Sequence, residues 1–267
     1  KVTGVFAEQK SQTRSVSAEG GSTIEEFELD ASDYDENRHF FLSQYFRENY
    51  SKSLQNYPLI SSPINITRIE LWITNRNASV EDFRSIVALA DIAEPNSENF
   101  VSLDGLVIPA LTAPTANGVA LPSNESNNIS GALSGPQIRD IATVDNYLSG
   151  TYGMSQGSDY SLLQNARKLQ PNEYTLNSQL GFVSLNRRLN DGEVLAVSYE
   201  YTVVGASNGK TSFKVGEFSN DGISSPENLA VKLLRSEILT TKRTIAGVEE
   251  AFPTWKLMMK NIYPVGA

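Results

Sequence analysis

The 267-residue chain contains no cysteine and one histidine, His39. Without cysteine there is no disulfide, no thiolate metal site and no cysteine nucleophile, and one histidine cannot build a multi-histidine metal centre. A serine hydrolase also fits poorly, because both G-x-S-x-G matches (Gly153–Gly157 and Gly205–Gly209) lie downstream of His39, whereas those hydrolases place histidine last. We interpret these glycines as loop residues and His39 as a hydrogen-bonded residue in or beside the core.

Positive charge and long apolar runs are also scarce. Lys and Arg total 22 against 31 Asp and Glu, which gives a formal net charge of -9. Binding to nucleic acid or to an anionic membrane draws on positive charge, so we expect no nucleic-acid partner. No apolar run reaches the roughly 18 residues of a membrane-spanning helix. The opening KVTGVFAEQKS predicts no signal peptide and indicates a piece excised from a longer chain.

The acidic stretch DYDENRHFFLSQ begins like a calcium-binding loop, with Asp33, Asp35 and Asn37 in alternation. An EF-hand is excluded, because Arg38 stands where the loop requires glycine and Gln44 where it requires glutamate. The sequence therefore predicts no metal and no cofactor, and a solvated helix N-terminus is the simpler interpretation. A looser calcium site stays an alternative, with Asp30, Asp33, Asp35 and Glu36 as its ligands.

The same region predicts the principal helix, near residues 36–56. Ser32 or Asp33 can cap its start, and Pro58 would end it. Its apolar residues fall at helical spacing, as on a helix that buries one face; they are Leu42, Tyr45, Phe46 and Tyr50, with Phe41 flanking them. We expect this face to pack onto a sheet as a structural motif without chemistry. The candidate residues of the motif are Arg38, His39, Phe40, Phe41, Tyr45 and Phe46.

The run INITRIELWITNR (64–76) predicts a strand that changes face halfway. Ile64 and Ile66 share one phase, whereas Leu71 and Ile73 share the other, and a bulge near residues 67–68 would account for the shift. Trp72 then points to the second face, where we expect partial burial and a candidate contact surface. RSIVALADIA follows as a central buried strand, which pairs with the first in a hairpin or lies beside it.

Further strands are predicted at both ends of the chain. Residues 1–7 and 24–31 read as two short strands. In residues 195–203, Leu, Val and Tyr alternate with smaller or polar residues, which is the cleanest strand pattern in the chain. We expect a hairpin return through Phe213 and Val215 and another strand in ENLAVKLLRS.

Residues 94–158 are rich in Pro, Gly, Asn and Ser, so they predict a loop-rich surface excursion with one short helix within residues 136–150. Residues 1–267 are expected to form one soluble domain. The fold class expected is α+β, mainly β, with antiparallel sheets, a sandwich among the arrangements, and one principal helix.

Several long stretches together resemble the SprA-like family of gliding-motility and secretion proteins. They are EGGSTIEEFELDASDYDENRHFFLSQYFRENY, NITRIELWITNRN, ARKLQPNEYTLNSQLGFVSLNRRLNDGEVLAVSYEYT and WKLMMKNIY. The resemblance implies one domain inserted in a very large outer-membrane translocon of the type IX secretion system. It further implies a non-catalytic structural or gating role and a place at the extracellular face, with the periplasmic face as the alternative. The partners implied are secreted cargo proteins, accessory outer-membrane subunits and the rest of the parent barrel.

Two functions from other classes stay open. A free-standing cell-surface module could bind glycans or proteins through Trp72 and the tyrosine-rich strand at residues 195–203. A carbohydrate-active enzyme would need two acids facing each other across a cleft, roughly 5–10 Å apart. No pair of acids in the sequence is marked for that role.

Overall fold

A computed structural model describes residues 33–76, 83–102, 109–110, 113–206 and 209–263; the strands predicted in residues 1–7 and 24–31 lie outside this part. The protein is mainly β with antiparallel sheets and few helices, which confirms the predicted fold class. The strands are β1 (His39–Phe41), β2 (Ile64–Ile73), β3 (Phe83–Leu89), β4 (Thr115–Ala116), β5 (Val119–Ala120), β6 (Tyr160–Lys168), β7 (Tyr174–Asn177), β8 (Phe182–Leu185), β9 (Leu195–Val203), β10 (Ser212–Val215), β11 (Leu229–Arg235), β12 (Lys242–Ile245) and β13 (Val248–Ala251). The α-helices are α1 (Gln44–Ser53), α2 (Ile129–Ala132), α3 (Val144–Tyr152) and α4 (Pro253–Leu257).

The central sheet closes on itself instead of forming one half of a sandwich. Its strand order is β10-β9-β11-β3-β6-β2, and β9 also pairs with β2. Five strands therefore form a ring, in which β3 and β11 are parallel and the other neighbours are antiparallel. Smaller sheets, β1-β8-β7, β12-β13 and β4-β5, are attached to this partly closed barrel.

The predicted bulge in β2 is confirmed. β2 pairs with β9 from Ile64 opposite Val203 to Ile73 opposite Leu195, and the register shifts between Ile66 and Arg68. The prediction that β2 and β3 form a hairpin or lie side by side is wrong, because β6 lies between them in the sheet. β3 is a central strand, as predicted, with β11 on one side and β6 on the other.

The two faces of the ring carry two cores. The inner core draws side chains from all five strands, as a small barrel interior does; its main members are Trp72, Ile86, Ala88, Leu163, Ala166, Ala196, Leu229, Val231 and Leu233. The outer core covers the opposite face. It includes the predicted apolar face of β9, which is Leu195, Val197, Tyr199, Tyr201 and Val203.

The principal helix is shorter than predicted. α1 covers Gln44–Ser53 with Ser43 at its N-cap, whereas the sequence predicted a helix near residues 36–56. His39–Phe41 are extended because they pair with β8, His39 opposite Ser184 and Phe41 opposite Phe182. Long-range strand pairing therefore replaces the first turns of the predicted helix.

The segment 94–158 is loop-rich, but the expectation of a surface excursion is wrong for its described part. It contains the β4–β5 hairpin, α2 and α3, and most of its buried apolar side chains belong to the outer core, whereas Val101 belongs to the inner one. The buried ones include Phe100, Leu121, Ile129, Leu133, Ile138, Val144 and Leu148. The predicted short helix within residues 136–150 corresponds to a 3-10 turn at Pro136–Ile138 followed by α3.

Candidate functional site

Two of the sequence stretches behind the family resemblance meet in space. Phe40, in NRHFFLSQYFR, forms an antiparallel bridge with Met258, in LMMKNIY. The backbone N–H of Met259 donates to the carbonyl of His39 (2.9 Å), and that of Asp35 donates to the carbonyl of Ile262 (2.7 Å). We call residues 35–53 with 253–262 the motif module; it joins the first and last parts of the described chain.

Four aromatic rings of the motif module are buried, as predicted, and Tyr50 on the same helix is partly buried. Phe40, Phe41, Tyr45 and Phe46 all belong to the outer core. The ring centroid of Phe46 lies 6.1 Å from that of Tyr199 on β9, so α1 packs directly onto the barrel.

Gly181, in the turn between β7 and β8, also packs against Phe46. A Cβ at Gly181 would lie within 2.1 Å of that ring, and the backbone φ there is +62°. Only glycine therefore fits both the turn and the ring.

The polar residues of the predicted motif hold its strand β1 in place. Arg38 donates from Nη1 to Asp35 Oδ1 (2.8 Å) and from Nε to the Leu185 carbonyl (3.1 Å). His39 Nδ1 lies 2.8 Å from Ser184 Oγ. His39 is thus a half-buried hydrogen-bonded residue, as predicted.

Two acids of the looser calcium alternative, Asp35 and Glu36, are engaged with neighbouring side chains. Asp35 faces both Arg38 and His39, with His39 Nε2 3.5 Å from Asp35 Oδ2. Glu36 accepts hydrogen bonds from Tyr34 and Arg188, and Asp30 lies outside the described residues. Within the described ranges, no group of three or more His, Asp or Glu is arranged to hold a metal ion.

Trp72 is not a contact surface. Only 1% of the residue is exposed, because the neighbour that covers it is the chain's own barrel interior. Lys168, opposite Trp72 in the sheet, holds its ammonium 5.9 Å from the ring centroid. Tyr199 and Tyr201 are also fully buried, so these three rings provide no platform for a glycan.

The bulge in β2 lies beside a polar cleft of about 490 Å³. Arg68 stacks its guanidinium over the Phe218 ring, 3.7 Å from the centroid, and reaches Asp221 at 3.3 Å. Lys214 Nζ lies 2.6 Å from the same carboxylate. The sequence indicated the bulge, whereas Lys214 and Asp221 were missed because they lie about 150 positions further along the chain.

Acids line this cleft, and each one accepts a hydrogen bond from a neighbouring side chain. Burial raises the pKa of Asp221, but the hydrogen bonds and charges of Lys214 and Arg68 outweigh it and lower that pKa. Glu200 accepts a hydrogen bond from Ser212 (2.8 Å). Asp221 is therefore ionised, so it is not the protonated member that an acid–base pair of a glycosidase requires.

The first G-x-S-x-G match lies in the loop after α3. Gly153 is the C-cap of that helix in the left-handed conformation, which confirms its interpretation as a loop glycine and not as part of a strand–turn–helix corner. Ser207, the serine of the second match, lies outside the described residues.

No helix in the described ranges is both long and apolar enough to cross a membrane, and a search of curated protein sequences found no match. The family SprA_N, described as motility related/secretion protein, matches residues 1–190. This match covers more than half of the chain and includes the NRHFFLSQYFR stretch, whereas LMMKNIY lies beyond it. The chain therefore belongs to the SprA_N family of motility-related and secretion proteins.

Proposed function

We propose that this chain is a non-catalytic structural and gating domain of an outer-membrane protein translocon of the type IX secretion system. In this role it serves both protein secretion and gliding motility. Membership of a motility and secretion family supports the proposal at the coarse level. The finer assignment rests on the resemblance of the long motif stretches to SprA-like translocons.

The observation that carries the proposal is the geometry of the motif module. The backbone of Asp35 is hydrogen-bonded to that of Ile262 at 2.7 Å, so the described fold can be inserted into a host protein through two adjacent connections. A domain attached in this way adds little strain to its host, because insertions are tolerated where the two connections are close together.

A second observation supports a rigid block instead of a flexible arm. Gln44 at the start of α1 donates from its side chain to the carbonyl of Pro253 at the start of α4 (2.7 Å), and both helices pack against the barrel. Movement of the attachment points would therefore move the barrel with them. Such a block can narrow or cover an exit path for cargo and contact accessory subunits.

Replacement of residues 36–261 in the parent gene by a short glycine linker tests the proposal. The 2.7 Å bond between Asp35 and Ile262 means that the linker need not move the flanking chain. We expect cargo to accumulate in the periplasm and gliding to stop, while the shortened parent still reaches the outer membrane in fractionation and immunoblotting. Normal secretion and gliding at normal parent levels would refute the role.

The proposal that the domain is non-catalytic is tested by substitutions in the polar cleft. The double variant Glu200→Gln and Asp221→Asn removes two of the acids that line it. We expect secretion and gliding to stay at the level of the unaltered strain, with equal amounts of parent protein. Loss of secretion with the protein present and folded would point to chemistry in the cleft.

The extracellular position is tested by labelling single cysteines in whole cells. The chain has no cysteine, and Val204 is 80% exposed whereas Ala196 is fully buried. A membrane-impermeant maleimide should label Val204→Cys in intact cells and leave the Ala196→Cys control unlabelled. Labelling of Val204→Cys only after permeabilisation of the outer membrane would place the domain in the periplasm instead.

A further inference from the structure

A pocket of about 200 Å³ opens between the end of the barrel and the β7–β8 hairpin. Its apolar wall consists of four residues, Ile73, Leu169, Leu185 and Leu189, all buried. A dry cavity of roughly 150 Å³ lined by aliphatic and aromatic side chains is large enough to hold benzene. The volume therefore fits one aromatic or large aliphatic side chain.

The charged groups at the rim of this pocket are already paired. Arg187 donates from both terminal nitrogens to Glu193, at 2.9 and 3.0 Å. Glu173 accepts from Arg167 Nη1 at 2.6 Å. A charged ligand side chain would thus meet no unpaired counter-charge here, and the pocket is complementary to an uncharged one.

The rest of the rim offers amide groups. Asn186 donates from Nδ2 to the backbone carbonyl of Asn172 at 2.5 Å, which leaves its side-chain oxygen as an acceptor. The side chain of Asn172 is exposed at the same rim and carries both donors and an acceptor. These groups match the main chain of a peptide better than they match a purely apolar molecule.

The pocket also adjoins the edge of a sheet. β7 begins at Tyr174, directly after the rim residue Glu173, and it is the outer strand in the order β1-β8-β7. Within the described ranges no strand pairs with the outer side of β7. An edge strand presents unpaired N–H and C=O groups to another chain, and domains that bind peptides in this way use adjacent pockets for side-chain specificity.

We propose that the pocket and the outer edge of β7 together bind an extended peptide segment of another protein, with one uncharged aromatic or large aliphatic side chain inserted between Ile73 and Leu189. Hydrogen bonds to β7 hold the main chain, and the pocket selects the side chain. This site is separate from the polar cleft and adjoins the motif module, whose Arg38 donates from Nε to the carbonyl of the pocket residue Leu185.

The test uses defined probes and the 267-residue chain, observed through its ¹⁵N–¹H amide spectrum. N-acetylphenylalanine amide should shift the signals of residues that line the pocket and should saturate, whereas the alanine and lysine analogues should not. The peptide Ac-Thr-Val-Phe-Val-Thr-NH₂ should bind at least tenfold more tightly than N-acetylphenylalanine amide. Its backbone N-methylated analogue should lose that gain. Shifts scattered over the surface, equal shifts with the alanine analogue, or no gain from the longer peptide would overturn the proposal.

A matched pair of variants checks the location. Leu189→Trp fills the pocket, and Leu59→Trp makes the same substitution at a residue that is 68% exposed. We expect at least tenfold weaker binding of N-acetylphenylalanine amide to Leu189→Trp and unchanged binding to Leu59→Trp. Equal binding to both folded variants would contradict the site. If Leu189→Trp does not fold, Asn172→Asp tests the location of the site instead. The new carboxylate at the rim has no partner, so the lysine analogue should now bind. If it still does not bind, the result counts against an uncharged rim at this pocket.

Discussion

The motif module and the segment 94–158 both pack on the outer core, but the segment adds a buried ion pair to its apolar contacts. In the motif module, aromatic rings are buried against the barrel, with Phe40 fully buried and Phe46 nearly so. In the segment, buried charges add to the apolar side chains that it contributes to this core. Glu94 pairs with Lys232 at 2.8 Å, with at most 2% of either side chain exposed, and it accepts the backbone N–H of Gln44 at 3.2 Å.

Further polar anchors hold the same segment. Asn127 donates from Nδ2 to the backbone carbonyls of Asp91 (2.7 Å) and Glu94 (3.0 Å). Arg139 binds Glu217 through two hydrogen bonds, at 2.6 and 2.7 Å. A periodic apolar face is visible in a local stretch of sequence, whereas partners such as residues 94 and 232 leave no local pattern. The apolar face of α1 could therefore be predicted from sequence, and the polar contacts that attach the segment could not.

The largest loss of stability is expected when a buried aromatic ring of the motif module is removed. Phe40→Ala should lower the free energy of unfolding by about 3–5 kcal/mol, because it removes a fully buried ring and leaves a cavity. Phe83→Ala is the matched control, since Phe83 is 49% exposed, and it should cost less than about 1 kcal/mol. Urea denaturation measures both, and similar losses would show that the motif module is not held by its rings.

Breaking the buried pair of Glu94 and Lys232 should lower the free energy of unfolding by nearly as much. Lys232→Met leaves the Glu94 carboxylate buried without its partner, so we expect a loss of about 3–4 kcal/mol. The double variant Lys232→Met with Glu94→Gln removes the uncompensated charge and should recover at least half of that loss. A double variant no more stable than the single one would show that the charge pair is not what anchors the segment.

The free energy of unfolding should also depend on pH, through the buried Asp91 that the segment 94–158 contacts. Burial raises the pKa of Asp91 to about 7 from an ordinary value of 3.8, despite hydrogen bonds from the backbone of Val101 and Ser102. Between these values the native state binds more protons than the unfolded state, so the free energy of unfolding falls as the pH rises. We expect a loss of about 1–3 kcal/mol between pH 5 and pH 7.5, measured by urea denaturation.

Asp91→Asn is the control for this pH effect. It removes the titrating group, so the fall between pH 5 and pH 7.5 should become smaller by the contribution of Asp91. Phe40→Ala, which changes only apolar packing, should keep the pH dependence of the unaltered chain. The same slope in Asp91→Asn and in the unaltered chain would contradict the assignment.

The smallest effect is expected at the surface. Arg188 pairs with Glu36 at 3.4 Å, and both side chains are well exposed, so water screens the interaction. Arg188→Ala should cost less than about 1 kcal/mol, and the loss should shrink further in high salt. A loss as large as that of Lys232→Met would mean that burial is not what distinguishes the polar anchors.

The sequence predicted the elements whose signal is local. The bulge near residues 67–68, the apolar face of β9 and the return strand β10 all follow from alternation within a few residues. The start of α1 could not be predicted, because His39–Phe41 pair with β8 about 140 positions later. Closure of the barrel buries Trp72, and that closure depends on the pairing of β2 with β9, which no local pattern encodes.

The pairing of β2 with β9 also sets an order of assembly. Ile73 pairs with Leu195, about 120 positions later. The pairing of β2 with β9 therefore cannot form until most of the chain has been synthesised. During that interval the apolar residues of β2 are uncovered, and a chain with such distant contacts folds slowly and is prone to aggregate. In a polypeptide that emerges from its N-terminus, the barrel can close only after β11, the last strand of the ring, has followed, which makes the time before residue 235 appears the most vulnerable stage of its biogenesis.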